Sequence, residues 1–389
     1  MSDTYISDSI KYIGADDTTL DLFENQYIVP NGVSYNSYII MDEKIAVMDT
    51  VDQRKTDEWF YNLNKALDGK TPDYLVVSHL EPDHAANIQN FVEKYPTAKL
   101  VLSMKAKAMM PQFFEIDNLD DICITVKEGD TLELGEHKLT FIMAPMVHWP
   151  EVMVEYEEKE KILFSADGFG KFGALSADED WACEARRYYF NIVGKYGAPV
   201  QTLLKKAANL DIKTICPLHG PILKENLGYY IDKYNTWSSY QPEDEGVLVA
   251  YASIHGNTEK AAKLIAKTLE EKGAPKVAIT DLTRDDMAEA IEDAFRYSKL
   301  IIAASSYDGG VFPPMEDFLN RLSHKAYQNR TVGLVENGSW APCAARVMKG
   351  FVENMKNITI CDNTVTIKST LKDADMDSVS ALVNEILNK

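Results

Sequence analysis

Short hydrophobic runs, separated by polar turns and amphipathic stretches, make up the first part of the chain. The run at 74–78 is apolar almost throughout, which is typical of a strand buried on both faces. The runs predict strands at 38–41, 44–49, 74–78, 99–103, 138–143, 152–156 and 161–165. Since helical stretches lie between several of them, the pattern predicts a layered α/β domain.

The second part alternates strand and helix more regularly. The predicted order is strand 247–252, helix 257–272, strand 276–280, helix 284–295, strand 299–304, helix 314–324, strand 331–335, helix 341–355, then a last strand and helix. Such alternation predicts a parallel sheet covered by helices on both faces. Ligands of these sheets bind at the carboxyl ends of the strands, so the loops there are the candidate binding loops.

A polar, acidic stretch at 241–246, bounded by proline and glycine, interrupts the pattern just before the apolar run at 247–251. Stretches of this kind are typical of domain boundaries. A chain of 389 residues is long enough for roughly two or three domains. We therefore predict one domain over 1–243 and a second over 247–389.

The charge of the chain excludes some classes of partner. The 40 Lys and Arg against 60 Asp and Glu give a formal net charge of −20, which would repel a phosphate backbone and an anionic membrane surface. No apolar run approaches the roughly 18 residues that cross a bilayer, and the first residues lack the pattern of a signal peptide. We expect a cytoplasmic protein that binds neither nucleic acid nor membrane.

The five cysteines are scattered and form no C-x-x-C pair. The spacing therefore indicates neither a disulfide framework nor a thiolate metal site. Free cysteine in a cytosolic protein usually behaves as a small buried apolar residue. We expect this structural role for all five, Cys123, Cys183, Cys216, Cys343 and Cys361.

Ionisable side chains follow several apolar runs at the point where a strand should end. The candidates are His79, Glu81, Asp83 and His84 after the run at 74–78, and His148, Asp167 and His219 after later runs. One such residue alone is more often a turn former or a satisfied core group. Burying this many charged groups without a partner, however, would be very costly. Rigid strand ends are also where a metal site is best supported.

Together these residues offer four imidazoles and three carboxylates, enough for two metal ions if one carboxylate bridges them. A set without thiolate suits iron, zinc or manganese, and its carboxylates favour iron or manganese over zinc. The histidines His137 and His324 lie among polar residues, and we expect both to be solvated.

Three loops of the second part, 253–258, 305–310 and 336–342, each follow a predicted strand. The first can turn several backbone N–H groups toward one phosphate at a helix N-terminus, although alone it could be a helix cap at Thr258. Glycines in the other two permit close backbone approach, and Tyr307 and Trp340 could flank a flat ring. The absence of a G-x-G-x-x-G pattern after the first strand disfavours a dinucleotide.

The run H-x-E-x-D-H at 79–84, followed by separate His, Asp and His, resembles the metallo-β-lactamase fold of flavodiiron proteins (A-type flavoproteins). Hydrolases of that fold usually carry a second histidine where Glu81 stands here. The loop 253–258 is similar to the S/T-x-x-G-N-T phosphate loop of flavodoxin. Together the resemblances cover essentially the whole chain. They imply a metallo-β-lactamase-like αββα sandwich followed by a flavodoxin-like doubly wound parallel sheet.

The resemblance also implies two cofactors and their ligands. One iron would be held by His79, Glu81 and His148, and the other by Asp83, His84 and His219, with Asp167 bridging. FMN would be held by Ser253, Ile254, His255, Gly256, Asn257, Thr258, Ser305, Ser306, Tyr307, Asp308, Gly309, Gly310, Asn337, Gly338, Ser339 and Trp340.

The family reduces dioxygen to water, nitric oxide to nitrous oxide, or both, and the resemblance implies the same activity here. Electrons would come from an external donor, rubredoxin or a reduced deazaflavin, because the cysteine pairs of a rubredoxin module are absent. The family also implies a head-to-tail homodimer or a dimer of dimers. Trp149 and Trp340 would lie near the electron path, and Tyr196 would donate protons near the metals.

Two other functions stay open on the sequence. One is a metallohydrolase of lactamase fold fused to a flavodoxin, which zinc together with esterase or lactamase activity would indicate; Glu81 argues against it. The other is an electron-carrying flavodoxin joined to a structural metal domain. Oxygen uptake that survives the loss of Asp83 or His148 would indicate that second alternative.

Overall fold

The computed structural model describes residues 4–389, which form two compact units. The first unit extends to Tyr189 and includes Ala198–Asn235, and the second comprises Phe190–Gly197 and Thr236–Lys389. The division falls within the helix Leu227–Ser238. The domain limits 1–243 and 247–389 stay a prediction.

Fifteen strands lie in the described part of the first unit, residues 4 onward. They are β1 Ile10–Tyr12, β2 Ala15–Asp17, β3 Leu22–Phe23, β4 Tyr27–Ile28, β5 Val33–Tyr35, β6 Tyr38–Ile40, β7 Ala46–Met48, β8 Tyr74–Val77, β9 Lys99–Ser103, β10 Cys123–Val126, β11 Thr131–Glu133, β12 Lys138–Met143, β13 Met153–Glu157, β14 Ile162–Phe164 and β15 Thr214–Cys216. One sheet has the order β1-β6-β7-β8-β9-β10 and a second has the order β11-β12-β13-β14-β15. The short strands pair as β2 with β5 and β3 with β4.

Eight helices accompany these strands along the chain. They are α1 Thr56–Leu67, α2 Pro82–Ala85, α3 Ile88–Lys94, α4 Met104–Met109, α5 Leu119–Ile122, α6 Trp181–Tyr188, α7 Gly197–Ala207 and α8 Leu227–Ser238. Within residues 4–389, no helix combines the length and the apolar character needed to span a membrane.

One hydrophobic core lies between the two large sheets of the first unit. Met48 and Val76 of the first sheet belong to the same buried cluster as Phe141, Met153 and Phe164 of the second. All five are at most 3% exposed, so the sheets pack face to face as layers of a sandwich. The core fixes β8 and β14, and the chain that follows each of these strands carries metal-ligand candidates.

The second unit contains a single twisted sheet with helices along the chain between its strands. The elements are β16 Asp244–Ala252, α9 Asn257–Glu271, β17 Val277–Asp281, α10 Met287–Arg296, β18 Tyr297–Tyr307, β19 Gly310–Val311, α11 Pro313–His324, β20 Arg330–Asn337, α12 Ala344–Val352, β21 Ile358–Ile367 and α13 Met376–Asn388. The order β17-β16-β18-β20-β21 is parallel throughout. This is the flavodoxin-like order of a doubly wound sheet, and the predicted fold class is confirmed.

Three strands of this sheet are longer than the sequence predicted. The strand predicted at 247–252 begins earlier, at Asp244. The strand predicted at 299–304 continues to Tyr307, because β19 folds back on it and pairs Ser306 with Val311. Asp308 and Gly309, both with positive φ, form the tight turn between them. The strand predicted at 331–335 continues to Asn337, which pairs with Ile367 of β21.

The solvated state predicted for His137 is wrong. Its side chain is 1% exposed, with Nδ1 3.0 Å from Oε1 of Glu157 and Nε2 3.0 Å from Oγ of Ser9. These partners lie 20 and 128 residues away along the chain, so the polar residues around His137 could not reveal them. His324, in contrast, is exposed as predicted.

The five cysteines form no disulfide within the described chain, as the sequence predicted. Cys216 and Cys361 are buried, so the predicted core role is confirmed for these two. Cys123, Cys183 and Cys343 are only partly buried, and for them the predicted core role is wrong.

Replacing His137 by leucine should destabilise the protein. The change removes one hydrogen bond to the buried Glu157 carboxylate, which keeps those from the N–H groups of Lys159 and Glu160. A hydrogen bond to a charged group contributes about 1.5–3 kcal/mol. Thermal unfolding followed by circular dichroism should show the lower melting temperature. The exposed His324→Leu should shift it much less, and equal shifts for both would contradict the role assigned to the buried pair.

Candidate metal centre and cofactor site

The loops that follow four strands of the first unit carry the metal-ligand candidates. His79 and Glu81 lie in the loop after β8, and Pro82 begins α2 with Glu81 at its N-cap. Proline suits this first helical position because its missing N–H would have no partner there anyway. Asp83 and His84 therefore lie on the first turn of α2. The other candidates, His148, Asp167 and His219, follow β12, β14 and β15.

His79, Glu81, His148 and Asp167 form a first ligand group. Nε2 of His79 and Nε2 of His148 lie 3.2 and 3.0 Å from the same oxygen, Oε2 of Glu81. The two nitrogens also lie 3.4 and 3.2 Å from Oδ2 of Asp167. The four potential ligand atoms are all within 4.8 Å of one another.

Asp83, His84 and His219 form a second group beside the first. Oδ2 of Asp83 lies 3.3 Å from Nε2 of His84 and 3.2 Å from Nε2 of His219. The two nitrogens are 3.1 Å apart. Oδ1 of Asp167 approaches His84 Nε2 to 3.2 Å and His219 Nε2 to 3.9 Å, so one carboxylate faces both groups.

While its histidines are neutral, as metal ligands must be, this cluster has no proton to share among its donor atoms. Both oxygens of Asp83 and both of Asp167 are buried without a hydrogen-bond partner among the described residues. His79 and His219 donate their Nδ1 protons elsewhere, which leaves the Nε2 lone pairs pointing at the carboxylates. Lone pairs that face lone pairs in a buried space need a cation between them. The residues therefore fit two metal ions bridged by Asp167.

Two hydrogen bonds outside the cluster hold its histidines. Nδ1 of His79 lies 2.8 Å from Oε1 of Glu151, which is 2% exposed and also accepts the N–H of Leu80 at 2.9 Å. Nδ1 of His219 donates to the carbonyl of Ser34 at 2.7 Å. Such partners fix the tautomer and the ring orientation of a metal-ligating histidine. The sequence analysis did not identify Glu151 or Ser34.

Aromatic rings pack around the histidines. The rings of Phe23 and Tyr188 both have centroids 5.5 Å from His219, and the ring of Trp149 lies 5.2 Å from His79. Burial raises the pKa of Tyr188, and the charge of Asp167 adds to the shift, so its phenol stays protonated. Sequence analysis named Tyr196 as the proton donor, whereas Tyr188 packs against a candidate ligand.

The charges of the cluster shift one another's pKa values. Burial alone would lower the pKa of His148, but the adjacent carboxylates of Asp167 and Glu81 outweigh it and raise that pKa to about 9. Burial would raise the pKa of Asp167, but His148 and His79 hold it well below its usual range. The metal-free cluster is therefore held together by protonated histidines and ionised carboxylates.

Two further buried acids, Asp49 and Glu155, contact Ser78, the residue before His79. Oγ of Ser78 is 2.6 Å from Oδ2 of Asp49 and 3.0 Å from Oε2 of Glu155. Burial raises the pKa of Asp49 to about 6 and raises that of Glu155 well above its usual range. Because one hydroxyl proton cannot serve two carboxylates, Glu155 is the protonated member.

A cavity of about 720 Å³ opens at the carboxyl ends of the parallel strands in the second unit. All the predicted FMN-binding residues line it except Gly256 and Gly310, together with Ala341, Cys343 and Ser369. Gly256 instead begins α9 with a φ of 82°, which favours glycine. Ser369 follows the last strand. The expectation that ligands bind at the carboxyl ends of the strands could therefore have identified it.

The walls of this cavity suit FMN. Hydroxyls of Thr258 and Ser305 lie 2.9 Å apart beside the N-terminus of α9, a place that favours a phosphate. Tyr307 and Trp340, 46% and 92% exposed, offer aromatic surface for a flat ring. Among the described residues no lysine or arginine lines the cavity, so hydroxyls and backbone N–H groups must hold the phosphate.

Two families of domains match the chain. Residues 33–220 match the ODP family of beta lactamases, and residues 248–359 match a flavodoxin domain family. The matches coincide with the metal cluster and the cavity. They define a protein with a beta-lactamase-like domain followed by a flavodoxin domain.

Similar proteins match this chain over nearly their whole length. A nitric oxide reductase of Moorella thermoacetica is 28% identical over 98% of this chain and 97% of its own. The structure of rubredoxin oxygen:oxidoreductase from Desulfovibrio gigas matches with a TM-score of 0.92 at 26% identity, covering 99% and 98% of the two chains. A variant of the flavo-di-iron protein of Thermotoga maritima matches with a TM-score of 0.88 at 25% identity, with the same coverage.

The chain belongs to the flavodiiron proteins. The family predicted from sequence is thereby confirmed, as are its two cofactors, a pair of iron ions and FMN. The assignment of individual ligands stays a prediction that the geometry supports.

Replacing Glu151 by glutamine should weaken metal binding without removing a ligand. The amide can still accept the His79 proton, but it lacks the charge that makes the imidazole a better ligand, so we expect roughly a 10-fold loss of affinity or more. Competition with a chelator measures it. Glu158→Gln, an exposed change in the same segment, should leave the affinity unchanged, and equal losses would contradict the role of Glu151.

Removing the metals should make stability depend on pH. A folded-state pKa of about 9 at His148, against an ordinary 6.5, stabilises the metal-free fold below pH 6.5, and this stabilisation disappears as the pH rises through 9. The raised pKa of Asp49, about 6, has the same sign but acts below this range, between its ordinary value of about 4 and pH 6. We therefore expect the melting temperature of the metal-free protein to fall between pH 6.5 and 9.

The metal-loaded protein serves as the reference for this measurement. Its ligating histidines are already neutral, so its melting temperature should change less over the same range. A metal-free protein whose melting temperature rises with pH would show that the histidines are not protonated in the cluster.

Proposed function

We propose that this protein is a cytoplasmic oxidoreductase that reduces O2 to water, NO to N2O, or both. Reduction of one O2 to two waters consumes four electrons and four protons, and joining two NO into one N2O and one water consumes two of each. When bound, the iron pair and FMN supply the redox chemistry. The named activities of the Moorella thermoacetica and Desulfovibrio gigas relatives support both substrates.

The observation that carries the proposal is the pair of ligand groups sharing Asp167. A hydrolase needs one or two zinc ions that activate water, for which histidine-rich groups are typical. Here Glu81 lies 3.0 Å from His148 and 3.2 Å from His79, so each metal position has one terminal carboxylate besides the bridge. Carboxylate-rich ligand sets favour iron over zinc. The flavin cavity on the same chain gives such a pair a source of electrons.

The residues around the cluster leave one side open for a small substrate. The side chains of Glu81 and Asp83 are 16% and 11% exposed, whereas those of His79, His84 and His219 are fully buried. A diatomic gas would therefore reach the metals past the two carboxylates. Burial among aromatic rings keeps bulk water away from the other sides.

The protein's own residues handle the protons that the reaction consumes. Glu24, an exposed residue in the turn between β3 and β4, has its pKa raised by partial desolvation and by the neighbouring charge of Glu81. An exposed carboxyl group whose pKa is raised can take up a proton from water and pass it on. Its electrostatic neighbours also include His148 and Asp83, which places it near the open side.

Electrons would come from outside the chain, from rubredoxin or a reduced deazaflavin. The name of the Desulfovibrio gigas relative supports rubredoxin. We further propose a head-to-tail homodimer or a dimer of dimers. The exposed Trp340 at the cavity is the residue that a donor or a second subunit would cover.

Anaerobic reduction of the purified protein, followed by addition of O2 or NO, tests the proposal. We expect about two irons and one FMN per chain, and rapid consumption of at least one gas with reoxidation of the flavin. Asp83→Ala and His148→Ala should each lower the consumption at least roughly 100-fold, because each removes a candidate ligand. The exposed Asp121→Ala is the matched control and should keep full activity.

Two results would contradict the proposal. Bound zinc with esterase or lactamase activity would indicate a metallohydrolase. Gas consumption that survives in both ligand variants would instead indicate a flavin carrier whose metal centre is structural.

A further inference from the structure

A lysine is buried next to the candidate metal centre. Lys171 is 4% exposed and lies four residues after Asp167, in the loop that follows β14. Its Nζ donates to the carbonyl of Phe172 at 2.9 Å and to Oε2 of Glu179 at 3.0 Å. Buried lysines are rare unless paired, and neither residue belongs to the ligand groups. The pair therefore needs an explanation of its own.

The stem of Lys171 lies directly against the loop that carries His219. A Cβ on Gly220 would come within 2.8 Å of Lys171 Cγ, so only glycine allows this approach. Gly170 is similarly close, since a Cβ there would lie 3.0 Å from the carbonyl oxygen of Asp167 and 3.4 Å from Cβ of His219. The loop after β14 therefore contacts the loop of His219 at two places, Gly170 and Lys171.

The partner of Lys171 ties the same loop to a third segment, 31–34. Oε1 of Glu179 accepts a hydrogen bond from Nδ2 of Asn31, and the N–H of Gly173 donates to the carbonyl of Gly32 at 3.1 Å. Ser34, at the end of this segment, binds Nδ1 of His219 through its carbonyl and the N–H of Gly220 through its hydroxyl, both at 2.7 Å. The ion pair therefore closes a ring of contacts through all three segments.

We propose that the partly buried Lys171–Glu179 ion pair is a positioning device of the metal centre. It holds the loop of the bridging Asp167 at a fixed distance from the loop of His219. The two side chains bind no metal themselves. The proposal deepens the proposed function, because it rests on the metal centre described above.

The physical reason is that a bridging carboxylate tolerates little displacement. Asp167 serves both ligand groups, with Oδ1 3.2 Å from His84 and Oδ2 3.2 Å from His148. A shift of its loop would lengthen the contacts on one side and shorten them on the other. Ligand geometry of this kind must be held within about 0.5 Å by the residues behind it. Lys171 lies in the same loop, four residues after Asp167, and its ion pair with Glu179 ties that loop to a neighbouring segment.

Three variants test the proposal: Lys171→Met, Glu179→Gln and the double variant. Methionine keeps the length of the buried stem, and glutamine keeps the shape of its partner. We expect each variant to lose iron to a chelator at least roughly tenfold faster than the unchanged protein, with the FMN content unchanged. The EPR spectrum of the mixed-valent iron pair should also shift, because its coupling depends on the bridge.

The double variant separates positioning from charge. Each single change leaves one buried charge without its partner, which destabilises by itself, whereas the double variant leaves none. Fast iron loss that persists in the double variant supports positioning. A double variant that retains iron like the unchanged protein would overturn the proposal.

A further control separates positioning from general stability. His137→Leu breaks a buried pair that contacts none of the seven candidate ligands through a described hydrogen bond. It should lower the melting temperature without changing iron loss or the EPR spectrum, and equal iron loss in this variant would overturn the proposal. Both readouts are taken without O2 or NO, so a failure of the reductase assay would not affect this test.

Discussion

The mutual repulsion of buried lone pairs is the constraint on which the first unit depends. Oδ1 and Oδ2 of Asp167 face two ligand groups, and neither oxygen has a hydrogen-bond partner among the described residues. Without cations the arrangement exists only when histidines carry protons. Metal binding and folding are therefore coupled. The outer contacts, from Glu151 to the Lys171–Glu179 pair, hold side chains in positions that they would not adopt alone.

Both cofactor sites lie at the carboxyl ends of strands, but the groups that bind the cofactor differ between them. At the metal centre the donors are side chains, and four strands position them over a core between two sheets. At the flavin cavity the lining is made of hydroxyls, glycines and aromatic rings at the ends of parallel strands. An anionic phosphate there depends on N–H groups and a helix N-terminus. A net charge of −20 is compatible with this, because the attraction is local.

The sequence predicted what depends on neighbours along the chain. Apolar runs located the strands, and the residues directly after them supplied the seven candidate ligands and most of the cavity lining. It missed what depends on distant contacts: Glu151 binds His79 across 72 residues, and Ser34 binds His219 across 185. The prediction of a solvated His137 was wrong for the same reason, since a polar stretch does not reveal which distant partner contacts its histidine.

Charge balance explains why the lysine beside the centre is paired. Two divalent ions bring four positive charges, and Glu81, Asp83 and Asp167 bring three negative ones, while neutral histidines bring none. Glu151 is the fourth negative charge, since His79 lowers its pKa against the effect of burial. The buried centre is then neutral. A lone cation at Lys171 would upset that balance in a medium of low dielectric constant. Glu179 cancels it, so the loop gains a rigid contact without a field at the metals.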